Sequence, residues 1–365
     1  MVEHCKRLHV QYRSKPRQSW QLVKNLGKLN GGLNAGIAKV TCSNPSARGM
    51  VFIEKRFGAQ EFRYRVAHRE IQLLHQVSDH MNIVTMVDHF LDEGALRAAV
   101  YLEYCDLGSL DAVVYQVAKG RHVHERKVWS WFFQLCGALT YCHWGPEPGR
   151  SDDEIFQLGW SRIYHRDIKP GNVLLTREGG QIVVKLADFG CGVSEDHLAQ
   201  AQSEQLAIKQ QVGTPGFDAP EYPFFGGASD VWQLGVTMMC LCTGTRSPKS
   251  RMNPGGQIWD KSRPAGESYS GRLSSKIKLC LATSPRQRST SYQILQLLDQ
   301  ASVTEMSTLS KDRRPMALFE PHDRESPPAR NHIPAFESGP EWPVFLAQGG
   351  RQRWNQMNTP ALSFF

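Results

Sequence analysis

The chain has 365 residues, of which 41% are hydrophobic and 21% charged, and its formal net charge is +8. This length exceeds one ordinary domain, so we expect two packed lobes or one domain with a tail. The composition is too apolar for a wholly disordered chain. The longest apolar stretch, 231–242, is well short of the roughly 18 residues that a membrane helix needs, and residues 1–25 hold no apolar secretory core. We therefore expect neither a membrane span nor a secretory signal.

The cysteines and the charge indicate a compartment and a class of partner. Nine cysteines are scattered without a CxxC pair. This predicts reduced thiols in an intracellular protein, cytoplasmic or nuclear, with no zinc site or disulfide framework. More than half of the net charge lies in residues 1–24, which hold six basic side chains and one acidic one. Such a basic arm suits an acidic partner. It lacks the interleaved aromatic residues and the motif that nucleic-acid binding needs, so we do not expect a nucleic acid.

The apolar pattern changes from strands to helices along the chain. Short apolar or β-branched runs, bounded by Gly, Asn and Pro, predict four strands. They cover residues 36–42, 50–57, 85–90 and 98–104. Helical spacing predicts one helix around Glu70 and longer helices beginning near Val128 and Val231. A strand-rich part followed by a helical part predicts an α+β fold of two unequal lobes, with a ligand cleft between them.

Proline separates the far end of the chain from the rest. Eight of the 20 prolines lie in residues 301–365, where basic and acidic side chains balance. No helical or strand period is visible there, so we expect a disordered tail that offers docking motifs to partners. Three aromatic residues are candidate anchors in it, namely Trp342, Phe345 and Trp354. The predicted organisation is therefore a basic arm over 1–21, a folded domain over 22–300 and this tail.

One string carries the chemistry. It reads HRDIKPGN at 165–172 and is followed by DFG, which begins at Asp188. Phosphoryl transfer needs a carboxylate aimed at the incoming hydroxyl, cations on the phosphate oxygens and oxygen ligands for Mg²⁺. Asp167 can accept the hydroxyl proton, and Lys169 can contact the transferred group. Asn172 and Asp188 offer oxygens to Mg²⁺.

The residues between these motifs predict how they meet. Apolar runs at 173–175 and 182–186 are typical of two paired strands. A hairpin of this kind would return Asp188 to the side of Asn172. We therefore expect both Mg²⁺ ligands in one place.

These strings resemble the catalytic loop and the DFG motif of eukaryotic protein kinases, and Lys169 is similar to the serine/threonine type. FIEK at 52–55 resembles the VAIK strand with its phosphate-binding Lys55, and Glu70 resembles the acid that pairs with it. Further strings resemble other motifs of the family and occur in the same order along the chain. These motifs are the HPNIV turn, the hinge, the substrate-docking loop, the helix that supports the catalytic loop and the late arginine. They are HMNIV at 80–84, LEYC at 102–105, GTPGFDAPE at 213–221, DVWQLG at 230–235 and Arg288.

The resemblance covers about residues 22–300 and implies a bilobal kinase, with an N-lobe over about 22–104 and a C-lobe over about 105–300. ATP and Mg²⁺ are the implied cofactors, and proteins with Ser or Thr acceptors are the implied substrates. Within the family, the string EYCDLGSL, the long insertion at 144–162 and the docking loop are similar to NIMA-related and other filamentous-fungal kinases. We expect the insertion to lie on the surface, because it is rich in Pro, Gly and acidic residues.

The nucleotide site departs from the family pattern. A GxGxxGxV loop lets backbone N–H groups approach the phosphates. The best register here begins at Gly31 and places Leu33 at the second glycine, with a competing register over 27–32. Ala38 then replaces the valine that covers adenine, and Ile53 replaces a smaller alanine, so we expect the adenine roof to keep its volume. The candidate nucleotide-binding residues are Gly31, Gly32, Gly36, Ala38, Ile53, Lys55, Glu103 and Cys105.

Arg166 is the cation that, in kinases of this type, binds a phosphate on the activation segment. The candidate phosphosites are Ser194 and Ser203, whereas Thr214 is expected to position the substrate hydroxyl. Three acidic residues offer a standing negative charge instead, namely Glu195, Asp196 and Glu204. The sequence leaves these two sources of negative charge open.

Three other residues have structural interpretations. Glu221 and Arg288 are expected to form a buried pair that holds the docking loop. His165 is expected to pack beneath Phe189. Lys55 shares a strand face with Ile53, which suits a cation facing the cleft rather than one in a surface ion pair.

Two functions follow from the resemblance. The first is an active serine/threonine kinase in which Asp167, Lys169, Lys55 and Glu70 are catalytic. The alternative is a catalytically weak pseudokinase that acts as a scaffold through its kinase fold and tails. The altered glycine loop and the Pro-rich tail favour this alternative, whereas the complete set of catalytic residues favours the first.

Overall fold

The computed structural model describes residues 12–27, 35–44, 47, 49–151, 154–155, 159–203, 213–309 and 319. In this part of the chain a strand-rich N-lobe precedes a helical C-lobe. The predicted α+β bilobal fold is confirmed.

The N-lobe is a five-stranded sheet with two helices. Its strands are β1 (Trp20–Gly27), β2 (Gly36–Cys42), β3 (Val51–Phe57), β4 (Met86–Asp92) and β5 (Arg97–Glu103). They lie in the order β1-β2-β3-β5-β4, and all neighbours are antiparallel. After β3 come helices α1 (Ala59–Arg63) and α2 (Val66–Val77). Helix α2 buries Ala67, Ile71 and Leu74 at helical spacing, so one face packs on the core.

The C-lobe is built on two buried helices. Its helices are α3 (Leu110–Ala118), α4 (Glu125–Trp144), α5 (Glu195–Ser203), α6 (Gly227–Thr243), α7 (Gly271–Cys280) and α8 (Ser291–Leu309). Every residue of α6 from Ser229 to Cys242 is buried, as its continuous apolar character requires. Trp131 and Phe132 of α4 are also fully buried in this core. None of the helices that the structure describes is long and apolar enough to cross a membrane.

Two short antiparallel pairs lie near the catalytic loop. Strands β6 (Ile163–Tyr164) and β9 (Val193–Ser194) form one pair, and β7 (Val173–Glu178) and β8 (Gln181–Leu186) form the other. The predicted hairpin between the two motifs is therefore confirmed. The four strands predicted for the N-lobe are also confirmed, with ends within two residues.

Strand β1 and helix α5 are not predicted by the sequence pattern. All residues of β1 after Trp20 are exposed, so this edge strand has no alternation of apolar and polar residues. Helix α5 has no continuous apolar stripe and begins with two acidic residues, Glu195 and Asp196. Such a pattern predicts a polar loop, and tertiary contacts decide otherwise.

The ends of the folded domain differ from the expected boundaries. The sheet begins inside the segment expected as a basic arm, and α8 runs to Leu309, past the expected start of the tail. Phe319 forms a bridge with Val123, and the Arg121 Cζ lies 4.0 Å from the Phe319 ring centroid. The anchors predicted at Trp342, Phe345 and Trp354 lie outside the described residues.

The chain before β1 covers the outer face of the sheet. The backbone N–H groups of Arg17 and Gln18 donate to the Asp88 carboxylate at 3.2 and 3.1 Å. Trp20 Nε1 donates to the same carboxylate at 3.0 Å, and its ring stacks on Tyr101 at 4.3 Å between centroids. Part of the predicted basic arm is thus packed on the N-lobe.

The segment expected as a surface insertion is partly buried. Ile155 is only 3% exposed, and Trp160 donates from Nε1 to the Cys142 carbonyl at 3.2 Å. Gly145 ends helix α4 with φ +77°, and a Cβ there would meet the Trp160 ring at 2.8 Å. The Ser161 carbonyl accepts from Gln76 Nε2 at 2.7 Å, which ties the end of the insertion to helix α2.

Candidate active site

The catalytic loop is held from below by helix α6. The Asp230 carboxylate is fully buried and accepts from the backbone N–H groups of His165 and Arg166, both at 2.8 Å. Gln233 Oε1 accepts from the Ile168 N–H at 2.8 Å, and Gln233 Nε2 donates to the Arg166 carbonyl at 3.1 Å. These bonds fix a loop whose residue Arg166 has the left-handed φ of +69°. The helix expected to support the catalytic loop does so through two side chains.

Asp167 lies at the centre of a set of donors. Thr214 Oγ1 donates to Asp167 Oδ1 at 2.7 Å, and Lys169 Nζ donates to Asp167 Oδ2 at 2.9 Å. Lys169 Nζ also lies 2.6 Å from Thr214 Oγ1. Asn172 Nδ2 donates to Asp167 Oδ2 at 3.0 Å. The structure thus brings three residues that the sequence singled out into contact with the buried carboxylate of a fourth, Asp167.

Lys55 makes the predicted ion pair with Glu70 and a second one with Asp188. Its Nζ lies 2.6 Å from Glu70 Oε1 and 2.8 Å from Asp188 Oδ1. Burial alone would lower the pKa of Lys55, but Asp188 and Glu70 together raise it, so the lysine stays charged. Lys55 lowers the pKa of Asp188 to about 2. A charged lysine in this position suits phosphate oxygens.

The geometry of the DFG turn explains why its last residue is a glycine. Asp188 has a left-handed φ of +64°, and its Oδ1 accepts from the Gly190 N–H at 3.3 Å. A Cβ on Gly190 would lie 3.1 Å from Asp188 Oδ1 and 3.2 Å from Glu70 Oε2. Any larger residue would press on the carboxylates that hold Lys55. Phe189 is buried against His165, with 4.7 Å between ring centroids in an edge-on contact, so the predicted packing of His165 is present.

The donor set at Asn172 and Asp188 fits Mg²⁺. The Ala187 N–H donates to the Asn172 carbonyl at 2.9 Å, so the hairpin returns the DFG turn to the catalytic loop. Asn172 uses its amide nitrogen on Asp167, which directs its side-chain oxygen elsewhere. The Asp188 side chain is 41% exposed despite its bond to Lys55. One neutral and one anionic oxygen are ligands that Mg²⁺ prefers.

The expectation that Ala38 covers adenine is wrong. Residues directly opposite in an antiparallel pair share a face of the sheet. Ala38 is opposite Glu54, whereas Ile37 is opposite Lys55. Ala38 is therefore packed on the outer face, in a cluster with Phe52 and Tyr101. Because side chains alternate along a strand, Ile37 rather than Ala38 shares the cleft face with Lys55.

This register changes the interpretation of the glycine loop. Ile53 lies on the face of Lys55, as predicted, and Lys39 is opposite Ile53. Counting back from Ile37 puts Gly32 at the second glycine position of the motif. Gly36 starts β2 with φ +144°, which a side chain rarely adopts. Gly31 and Gly32 lie outside the described residues.

The hinge begins where β5 ends. The Glu103 carboxylate accepts from Lys185 Nζ at 3.0 Å and from the Thr85 N–H at 2.8 Å. This side chain is committed to the protein, so Glu103 can serve a nucleotide only through its main chain. Cys105 is buried, and burial raises the pKa of its thiol, so it is a neutral group beside the cleft. Lys39 Nζ donates to Tyr104 Oη at 2.5 Å, a contact between β2 and the hinge that no motif signals.

The activation segment folds back on helix α2. Ser194 is fully buried, and its Oγ lies 2.9 Å from His197 Nδ1. His197 Nε2 lies 2.7 Å from Gln72 Oε1 on α2, the helix that carries Glu70. Ser194 could therefore accept a phosphate only if this segment opened. The side chain of Ser203 lies outside the described part, and Thr214 is bonded to Asp167.

The docking loop is held by the expected buried pair. Arg288 Nη1 and Nη2 bond the Glu221 carboxylate at 2.7 and 3.0 Å. Arg288 Nη1 also donates to the Ala228 carbonyl at 2.6 Å. The guanidinium is thus satisfied by a bidentate pair and by backbone, which anchors the end of the docking loop to the C-lobe.

A comparison with protein-family models matches residues 37–298 to the protein kinase domain. The match covers more than half of the 365 residues, and the chain therefore belongs to the protein kinase family. ATP and Mg²⁺, the cofactors expected from the motifs, are those of this family.

Several curated proteins similar to this chain are NIMA-related kinases. G2-specific protein kinase nim-1 of Neurospora crassa is 29% identical over 301 residues, which are 76% of this chain and 33% of that protein. Probable serine/threonine-protein kinase nek2 of Dictyostelium discoideum is 28% identical over 280 residues, 74% of this chain and 60% of that protein. G2-specific protein kinase fin1 of Schizosaccharomyces pombe is 31% identical over 244 residues, 62% of this chain and 31% of that protein.

The predicted likeness to NIMA-related serine/threonine kinases is confirmed. The chain spans between about a third and three fifths of the length of these curated relatives. The part that matches the protein kinase domain contains the candidate residues Lys55, Glu70, Asp167, Asn172 and Asp188.

Proposed function

We propose that this protein is an active serine/threonine kinase that transfers the γ-phosphoryl group of ATP to Ser or Thr hydroxyls of protein substrates. The observation that carries the proposal is the arrangement around Asp167, in which Lys169, Thr214 and Asn172 all donate to one carboxylate. The ion pair between Lys55 and Glu70 is formed in the same structure. The coexistence of these two arrangements in one conformation supports the proposal.

In this proposal Asp167 acts as the base. Its carboxylate already accepts from the Thr214 hydroxyl at 2.7 Å, a group of the same chemistry as the Ser or Thr of a substrate. A substrate hydroxyl that took a place beside Thr214 would donate its proton to Asp167 as its oxygen bonds to the γ-phosphorus of ATP. The bond between that phosphorus and the β–γ bridging oxygen would break in the same step, and ADP would leave. Lys169, within 3 Å of both groups, would contact the transferred phosphoryl group.

Lys55 positions the nucleotide phosphates. Helix α2 presents Glu70, which is 1% exposed, so the lysine is held at a fixed point of the cleft. Asn172 and Asp188 would hold Mg²⁺, which neutralises charge on the phosphate oxygens when it is bound. Most of the acceleration then comes from positioning and from fixed charges.

Phosphorylation of an arrayed peptide library tests the proposal. The purified wild type with Mg·ATP is expected to label a subset of Ser and Thr peptides, and Asp188→Asn is expected to label none above background. Each protein should show the same thermal unfolding profile, so that loss of label reports chemistry. A wild type that binds Mg·ATP and labels no peptide or protein, in either phosphorylation state, would contradict the proposal, as would an equally active Asp188→Asn.

The scaffold alternative predicts the opposite dependence. A scaffold would keep its cellular function in Asp167→Ala and lose it when residues 310–365 are deleted. An active kinase would lose its function in Asp167→Ala. We also propose that partner proteins dock on the Pro-rich tail. Proteins that bind the full-length chain and do not bind the chain without residues 310–365 would be these partners.

An intracellular location, cytoplasmic or nuclear, is also part of the proposal. All eight cysteines in the described part of the chain are free thiols. Six of them are buried in the lobes. Thiols in this state are typical of reducing compartments. Fluorescence of a tagged full-length chain would locate it, and an extracellular signal would contradict this part.

A further inference from the structure

The activation segment offers Arg166 few phosphate partners. Between Asp188 and Glu221 the sequence holds only three hydroxyl residues, Ser194, Ser203 and Thr214. Ser194 is fully buried and Thr214 is bonded to Asp167. Residues 204–213 contain no Ser, Thr or Tyr at all. Only Ser203 remains as an acceptor in this segment.

Arg166 meets an aromatic ring. Its Cζ lies 3.8 Å from the ring centroid of Phe225, which follows the docking loop by four residues. Arg166 is only 5% exposed. A second ring, Tyr164, lies 6.5 Å from Phe225 in an edge-on contact. The guanidinium is thus covered by the aromatic face on the side of the docking loop.

This contact is suited to a buried cation. The face of an aromatic ring carries partial negative charge and attracts a guanidinium, more strongly when water is excluded. Burial lowers the pKa of Arg166 to about 10, so the guanidinium remains charged at neutral pH. An aromatic face therefore supplies part of what a phosphate would supply, and it does so without a modification.

Phe225 also connects Arg166 to the catalytic centre. Phe225, Arg166, Thr214 and Gln233 line one small cavity between the docking loop and α6. Gln233 bonds the Arg166 carbonyl and the Ile168 N–H, on both sides of Asp167. Displacement of the Arg166 side chain would disturb a loop whose backbone carries the proposed base.

We infer that Phe225 is a positioning residue that holds Arg166 in place of a phosphate, so that the catalytic loop works without phosphorylation of the activation segment. The inference rests on the proposed kinase function and specifies its regulation. It assigns a role to a residue outside every motif that the sequence singled out.

Removal of phosphate is the first test. The wild type before and after phosphatase treatment, and Ser203→Ala, are compared on a peptide that the wild type labels. The expected kcat values agree within twofold. A fall of tenfold or more after phosphatase treatment, or in Ser203→Ala, would overturn the inference.

Substitution of the ring is the second test. Phe225→Leu keeps an apolar side chain and removes the aromatic face, whereas Phe225→Tyr keeps the face. We expect kcat to fall about tenfold in Phe225→Leu, with an unchanged KM for ATP, and to stay near the wild-type value in Phe225→Tyr. A purely space-filling role predicts equal kcat in both variants and would overturn the inference. A change confined to the KM for the peptide would also overturn it, since that result assigns Phe225 to substrate binding.

The matched control is Tyr115→Leu. The Tyr115 ring lies on the exposed side of α3, and its centroid is 5.0 Å from the Arg246 Cζ. Tyr115 is far from the catalytic loop in sequence. We expect its kcat to equal that of the wild type. Amide hydrogen exchange at residues 165–168 completes the set and needs no activity. Exchange there should rise in Phe225→Leu and not in Tyr115→Leu.

The exchange measurement separates this inference from the proposed function. A wild type without transfer in any state contradicts the kinase proposal, whatever its exchange. Equal exchange at 165–168 in the wild type and in Phe225→Leu overturns the role of Phe225, whatever the activity. It also decides the matter if Phe225→Leu is too unstable for kinetics at assay temperature, since exchange is measured below its unfolding transition.

Discussion

Two buried aspartates hold segments of backbone in different lobes. Asp230 is 0% exposed and accepts from the N–H groups of His165 and Arg166, at the start of the catalytic loop. Asp88 is 4% exposed and accepts from the N–H groups of Arg17 and Gln18 and from Trp20 Nε1, on the outer face of the N-lobe sheet. Both use a carboxylate as an acceptor for several donors.

The two segments differ in what they carry. The segment held by Asp230 contains the proposed base, so a shift of this loop moves the reacting groups. The segment held by Asp88 carries Trp20, whose ring stacks on Tyr101 on the face of the sheet opposite Lys55. The same device therefore serves catalysis in one place and stability of the lobe in the other. Substitutions at the two aspartates measure this separation.

The largest effect is expected for Asp230→Ala. Two buried N–H groups lose their acceptor, at a cost of about 4 kcal/mol in the free energy of unfolding. Below its unfolding transition the variant should also lose at least about tenfold in kcat, because the loop that carries Asp167 is released. Urea denaturation and peptide phosphorylation measure the two effects. The control is Glu267→Ala, a carboxylate that is 83% exposed, with an expected change within about 0.5 kcal/mol. An Asp230→Ala variant that kept both the stability and the kcat of the wild type would contradict the role assigned to Asp230.

Asp88→Ala is expected to reduce stability alone. The Asp88 carboxylate accepts from these three donors and from the His89 N–H at 2.9 Å, so its loss should cost about 3 kcal/mol in the free energy of unfolding. The kcat of the folded variant should stay within about twofold of the wild type, because the released segment lies on the far side of the sheet. Denaturation and kinetics are measured on the same preparation. A tenfold fall in kcat would show that the N-terminal segment acts on the cleft.

A third bond between distant segments joins the neutral side chain of His197 to Gln72 on helix α2. Burial lowers the pKa of His197 to about 4, below the 6.5 of an unfolded histidine. The contribution of neutral His197 is therefore complete above about pH 6.5 and is lost as the pH falls towards 4. Between pH 7 and pH 5 the loss should be about 2 kcal/mol in the free energy of unfolding.

His197→Gln isolates that contribution. Glutamine can still bond Gln72 and does not titrate, so the variant should lose less stability than the wild type over the same pH range. Urea denaturation at pH 7 and at pH 5 gives the difference. Parallel losses in the two proteins would show that His197 is not buried as the neutral form.

The smallest effect concerns the two faces of β2. Ala38→Val adds volume to the packed outer face and should cost about 1 kcal/mol in stability, with an unchanged KM for ATP. Ile37→Ala removes volume on the face of Lys55 and should raise the KM for ATP several-fold. ATP titrations of both variants give the answer. If Ala38→Val altered the KM for ATP and Ile37→Ala left it unchanged, the register expected from the glycine motif would be correct.

The parts of the fold that the sequence predicts are those with a motif or a clear period. The catalytic loop, the DFG turn and the Lys55–Glu70 pair follow from strings whose order and spacing are specific. Strands β2 to β5 of the N-lobe follow from apolar runs. All of these signals are local, because each is identified from neighbouring residues without knowledge of the rest of the chain.

The missed features depend on contacts between distant segments. Asp88 bonds residues about 70 positions earlier in the chain, and Phe225 meets Arg166 across 59 positions. Ile37 could not be told from Ala38, because the face of β2 depends on the length of the turn that joins it to β3. A one-residue shift in that register exchanges the two faces. No local pattern records these choices.

The most direct measurement of the kinase proposal is a single-turnover assay of Asp167→Asn. Asparagine keeps the size of the side chain and cannot accept the hydroxyl proton. The binding constant for Mg·ATP should stay within about twofold of the wild type, while the rate of phosphoryl transfer to a labelled peptide should fall about 100-fold to 10,000-fold. Equal transfer rates in the wild type and in Asp167→Asn would contradict the proposal that this carboxylate is the catalytic base.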